Sequence, residues 1–297
     1  MIKITVIARV TGFISFLLLC FGIATVQAAS PACTAELAWQ IPARSAEAPT
    51  GSAFVKQVME LSGTARDAVV SAEVLSGNVP SFLRHLTPVQ VSSKQPDGNV
   101  VQVTICVTPD YLAIGSNRDF VRVSIGLPAA AEIADRFGFL LPTTRMVDAI
   151  YSQAGLRLEP SPMEPNDLMR STNYLWRHNQ TVERQCARID RALDELIAGQ
   201  KKDLVLSNRL RTYAGRVAIY GWHRSNGVPI QPLSTVHGAQ YADYSHGVRL
   251  ISATAFVNGV PQPLAKLLQD SRFARILSSE GPIADAVNLQ ASLYRNP

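Results

Sequence analysis

Between Gly221 and Arg249 the chain concentrates side chains that can move protons or hold a metal. His223, His237 and His246 are three of its five histidines, and Asp243 stands three residues before His246. Tyr241, Tyr244, Ser245 and Arg249 flank the pair, in a glycine-rich stretch able to turn sharply. Two chemistries suit this set. In one, His223, His237, Asp243 and His246, or three of them, bind zinc. Three protein ligands would leave a position for water, whose pKa the metal lowers to about 7. The spacing H-x13-H-x5-D-x2-H matches no zinc signature with a known mechanism. In the other, a histidine oriented by Asp243 is the general base, Tyr244 or Tyr241 the acid, and Arg249 the holder of an anionic group. Ser245 or Ser234 beside a histidine offers a nucleophile, although the G-x-S-x-G elbow is absent.

Such groups need rigid elements behind them. Short apolar runs at 204–206, 217–220 and 248–251 read as buried strands, so His223 follows one strand and His246 precedes another. Val89 and Val91, then Val101, Val103, Ile105 and Val107, alternate around turn chemistry at 96–99, which predicts a hairpin. Residues 111–114 and 120–125 read as two further strands. Helical spacing covers 52–76 with a break at Gly63, then 128–137, then a helix capped by Thr143 or Thr144. One long polar helix is expected in the middle of the chain, over 166–198, with Leu168, Leu175, Val182, Ile189, Leu193 and Leu196 on one stripe. Short helices follow at 263–268 and 273–277. Helices and strands mix without regular alternation, so the expected class is α+β: an antiparallel sheet with several helices.

Residues 1–28 read as a secretory signal peptide, with Lys3 and Arg9, an apolar run at 13–23 and Val26-Gln27-Ala28 as the cleavage signal. The rest, 29–297, reads as a single α+β domain, secreted or periplasmic, with no transmembrane segment once the signal is removed. Without those 28 residues, 26 Lys+Arg face 23 Asp+Glu, a net charge of +3. No basic run exceeds two residues, so nucleic acid is not an expected partner. Of the three remaining cysteines, Cys106 lies in an apolar strand and suits a buried thiol, which favours a Cys33–Cys186 disulfide.

The string Ser245-His246-Gly247-Val248-Arg249 resembles the S-H-G-C-x-R motif of L,D-transpeptidases, which cross-link peptidoglycan through its cysteine. No cysteine follows Cys186 here, so that nucleophile is missing, and the helix-rich remainder differs from that family's β-rich domain. Val107-Thr108-Pro109-Asp110-Tyr111-Leu112, Lys201-Lys202-Asp203 and Tyr241-Ala242-Asp243-Tyr244-Ser245-His246-Gly247 together resemble an uncharacterised family of secreted bacterial proteins. That resemblance implies secretion and one domain, and implies no activity.

The function expected from these residues is a secreted hydrolase with a His/Asp site, zinc-dependent in one version. Its substrate would be a small molecule, peptide or glycan outside the cytoplasm. The alternatives are a metal-independent polysaccharide lyase using His, Tyr and Arg, and a non-catalytic envelope binding module stacking its ligand on Trp222, Tyr241 and Tyr244.

Overall fold

Alternating valines and isoleucines build the centre of the molecule. In the computed structural model, which describes residues 33–94, 98–189 and 192–295, Thr87–Lys94 and Val100–Val107 form the expected antiparallel hairpin. Its register sets Val89 opposite Ile105 and Lys94 opposite Val100, while residues 95–97 of the turn lie outside the described ones. Ile251–Val257 pairs with Val100–Val107, and Val260–Pro263 and Phe139–Leu140 pair with Ile251–Val257, completing an antiparallel five-stranded sheet. Val103, Ile105, Val107, Ile251 and Ala255 are fully buried there. Each large aliphatic among them contributes about 1.5–3 kcal/mol through burial.

A second sheet carries the site. Its order is Pro229–Ser234, Ile219–His223, Lys202–Leu204, His246–Gly247, and the last pair is parallel. Two-stranded pieces, Ala113–Gly115 with Phe120–Arg122 and Leu156–Arg157 with Ile197–Ala198, stand beside these sheets. The class is α+β, with antiparallel sheets and several helices.

The helices follow local chemistry. The break at Gly63 separates Gly51–Gln57 from Gly63–Leu75. Thr143 caps Thr144–Gln153, its Oγ1 accepting from Met146 N at 3.2 Å. The long central helix is shorter than its stripe suggests, running only from Thr172 to Cys186. Ser171 Oγ accepts from Tyr174 N at 3.2 Å and starts it there, and a separate 3-10 turn occupies Asp167–Arg170. Leu175 and Val182 are buried, whereas Leu168, Ile189 and Leu193 beyond its ends are exposed. The last part of the expected helix is instead the strand Ile197–Ala198. The chain also adds a helix, Ala286–Arg295, which packs on Leu127–Arg136.

The disulfide is Cys33–Cys106, with Cα atoms 5.4 Å apart, not Cys33–Cys186. Cys106 is buried as expected, yet it reaches the segment ahead of the first helix rather than remaining a thiol. Cys186 ends its helix in a separate small apolar cluster with Leu156, Leu158, Val182 and Ile197. The signal-peptide reading falls on residues outside those described. Among the described residues no helix is long and apolar enough to cross a membrane.

Candidate functional site

Three strings far apart in sequence meet at the end of the second sheet. Lys202–Leu204 runs parallel to His246–Gly247, setting Lys202 beside His246 and Asp203 beside Gly247. Tyr111 closes over them: its hydroxyl donates to Asp203 Oδ2 at 2.8 Å. Gly247 is required by that packing, because a Cβ there would lie 2.5 Å from the Tyr111 ring and 2.9 Å from Lys201 Cδ.

Asp243 organises the loop before that strand. Its Oδ1 accepts from Ser245 N at 2.8 Å and from Ser245 Oγ at 2.5 Å, an Asx turn that brings His246 back toward it. Its Oδ2 receives the Tyr241 hydroxyl at 3.4 Å and lies 3.9 Å from both His246 Nε2 and Lys202 Nζ. Burial alone would raise the Asp243 pKa, but His246, Lys202 and the Ser245 hydrogen bonds more than offset it, and the net shift is downward. His246 is fully buried, and neither ring nitrogen has a hydrogen-bond partner among the described residues. Burial carries its pKa down to about 4, so the imidazole is neutral at pH 7.

Tyr241 links this pair to the surface. Its ring meets His246 edge-on at 5.7 Å and stacks on the exposed His237 at 4.0 Å, with Arg170 5.4 Å above it. Arg170, Gly238, Gln240 and Tyr241 line an open groove of about 470 Å³. Lys202, partly exposed, lies 5.0 Å from the Trp222 ring. Trp222 holds a positive φ of 58°, a conformation costing a non-glycine residue about 1–3 kcal/mol.

Behind the pair lies a second polar layer. Lys201 is fully buried; its Nζ donates to Tyr244 O at 2.8 Å and to Ser124 Oγ at 3.3 Å. Burial, reinforced by Arg122, lowers its pKa to about 7. His178 is buried with both ring nitrogens unbonded among the described residues, and burial and Lys201 push its pKa well down.

The structure gathers some of the expected residues and separates others. His237, Tyr241, Asp243 and His246 stand together. His223 belongs to a different cluster: its Nε2 donates to Asp148 Oδ1 at 2.9 Å, and its ring stacks on Tyr151 at 4.5 Å. The four proposed zinc ligands therefore do not face one point. Among the described residues no group of three or more His, Cys, Asp or Glu side chains is arranged to hold a metal ion. Arg249 is fully buried and donates to Thr108 O at 2.8 Å and Ile197 O at 2.7 Å, so it ties strands rather than lining a cleft. Tyr244 is buried, its hydroxyl engaged by Met163 N at 2.6 Å, which removes it as a surface acid. Trp222 is buried too, so Trp222, Tyr241 and Tyr244 form no exposed stacking platform.

Lys201, Lys202, Arg170, His178 and Asp148 are the residues that the chemistry of 221–249 does not reveal. Only the Lys201-Lys202-Asp203 string carries a signal, since a Lys-Lys-Asp cluster directly before a buried apolar run is an unusual place for charge. No protein-family model, curated protein or solved structure matches the chain.

Proposed function

We propose that this protein is an extracytoplasmic hydrolase of an amide or ester bond in an anionic peptide or glycan, with His246 as its acid–base group and Asp243 beside it. One observation carries the reading. His246 is a fully buried imidazole whose two nitrogens have no hydrogen-bond partner among the described residues, 3.9 Å from a buried carboxylate and one ring away from an open groove. Buried polar groups are nearly always bonded, and leaving one unbonded costs about 1–3 kcal/mol. A fold that retains this imidazole keeps two proton sites ready for a water or substrate.

The chemistry follows from the protonation states. Neutral His246 takes a proton from water while the water oxygen adds to the carbonyl carbon of an amide or ester bond. The carbonyl π electron pair moves onto the carbonyl oxygen and returns when the tetrahedral intermediate collapses. Asp243 stabilises the imidazolium that results. The imidazolium then gives its proton to the departing oxygen or nitrogen as the old bond breaks, restoring the neutral ring. Arg170 and Lys202 supply the positive charge for an anionic substrate, and the exposed His237 ring, backed by Tyr241, offers a stacking surface. The Tyr241 ring must swing aside to admit water to His246. Location outside the cytoplasm is supported by the basic and apolar start of the chain and by the Cys33–Cys106 disulfide.

The test is product mass. Purified protein is incubated with peptidoglycan and with a polyuronate, with and without a chelator. The expected products carry one added water and form in both conditions. Unsaturated products without added water would replace this reading with the lyase, and loss of activity with the chelator would replace it with the zinc version. Saturable binding without turnover would leave only a binding module.

A further inference from the structure

A second groove, of about 490 Å³, lies between the helix Thr144–Gln153 and the free edge of the strand Thr87–Lys94. Asp148 projects into it, its side chain 51% exposed. Two donors fix one oxygen of this carboxylate: Tyr220 OH at 2.8 Å and His223 Nε2 at 2.9 Å, both on Oδ1. Oδ2 has no donor among the described residues. His223 is itself buried and stacked on Tyr151, so the carboxylate is held in place from behind. Such a preset, half-open carboxylate is suited to a cation that arrives from the groove.

Arg145 lies three residues earlier on the same helix, is exposed in the same groove, and makes no hydrogen bond or ion pair among the described residues. A positive and a negative group thus face one groove without neutralising each other.

The opposite wall is a strand edge. Gln153 bonds both main-chain groups of Gln90: Gln90 N donates to Gln153 Oε1 at 2.9 Å, and Gln153 Nε2 donates to Gln90 O at 2.8 Å. The Gln90–Thr104 pair is therefore one whose main-chain groups point away from each other. Antiparallel pairs alternate, so the pair two residues on, Ser92 with Gln102, has the same orientation. Gln102 agrees, because its own N and O bond Asn258 on the far side. The N–H and C=O of Ser92 consequently face the groove, and they have no partner among the described residues. An unpaired edge of this kind recruits an extended chain.

We propose that this groove binds an extended peptide bearing an ammonium and a carboxylate. Its main chain pairs with Ser92, its ammonium meets Asp148, and its carboxylate meets Arg145. The proposal is independent of the acid–base site.

The probe is N-acetylated Ala-Lys-Ala with a free carboxylate, titrated into the whole protein by calorimetry or NMR. Saturable binding is expected. Acetylating the lysine should weaken it about tenfold or more, as should amidating the carboxylate, each the loss of one charged pair. In Asp148→Asn, lysine acetylation should make no further difference; in Arg145→Gln, amidation should make none. Ser92→Pro removes only an outward N–H, which an edge strand tolerates, and should abolish binding with the melting transition preserved. Absence of saturable binding, or binding indifferent to Asp148→Asn and Ser92→Pro, overturns the proposal.

Discussion

Lys201 Nζ lies 2.8 Å from the carbonyl oxygen of Tyr244, so a buried amine ties the second sheet to the loop carrying Asp243 and His246. Its pKa in the fold is about 7, against about 10.4 in an unfolded chain. Between those values the unfolded chain holds a proton that the folded chain lacks, so stability rises with pH; below about 7 the full penalty is present. Wild type should gain about 2–3 kcal/mol relative to Lys201→Met between pH 7 and 9, at 1.36 kcal/mol per unit. Urea unfolding at the two pH values checks this, and equal slopes for the two proteins would contradict it.

Tyr111, Lys201 and Gly247 pack without spare room. Gly247→Ala pushes a methyl into the Tyr111 ring, which Asp203 and Arg249 hold in place. A loss of about 1–3 kcal/mol is expected from overpacking. A denaturation midpoint within error of wild type would show that the ring can move.

The Cys33–Cys106 bridge closes a separation of 73 residues, which the chain-entropy account values at about 4 kcal/mol. Non-reducing peptide mapping should link Cys33 to Cys106, and Cys186 should be alkylated only after denaturation. Reduction or Cys33→Ser should lower stability by about that amount. A Cys33–Cys186 peptide would refute the structure at this point.

Arg170 is assigned to binding rather than to chemistry. Arg170→Ala should raise KM about tenfold on an anionic substrate while kcat changes little, and added salt should have a similar effect on wild type. A fall in kcat with KM unchanged would place the guanidinium among the reacting groups.

Much of the fold was legible because period and cap signals are local. The hairpin from Thr87 to Val107 and the Thr143-capped helix each rest on residues within one element. The long helix misled because Leu168 and Ile189 continue the stripe in sequence while lying on exposed turns outside the helix. The disulfide misled because an apolar strand suits a packing thiol and a bridged one equally well. Within the candidate site, the nearness of Asp243 and His246 was legible from spacing, since a turn closed by His246 N donating to Asp243 O at 3.1 Å spans the three-residue step. His223 was not separable from them by sequence, because its partner Asp148 lies 75 residues away on another element. Lys201 was hidden by the general rule that lysines face water.

The central claim is that Asp243 and His246 carry out the chemistry, and the most direct measurement is turnover in their conservative variants. Asp243→Asn and His246→Gln keep approximate side-chain shape; both are expected to melt lower than wild type, and circular dichroism should show each folded at the assay temperature. On an anionic polymer that wild type cleaves with addition of water, each variant should lose about a hundredfold or more in kcat, the range general acid–base groups supply. Wild-type activity should fall only as pH approaches about 4, where His246 takes up its proton. Folded variants that turn over at the wild-type rate would contradict the account.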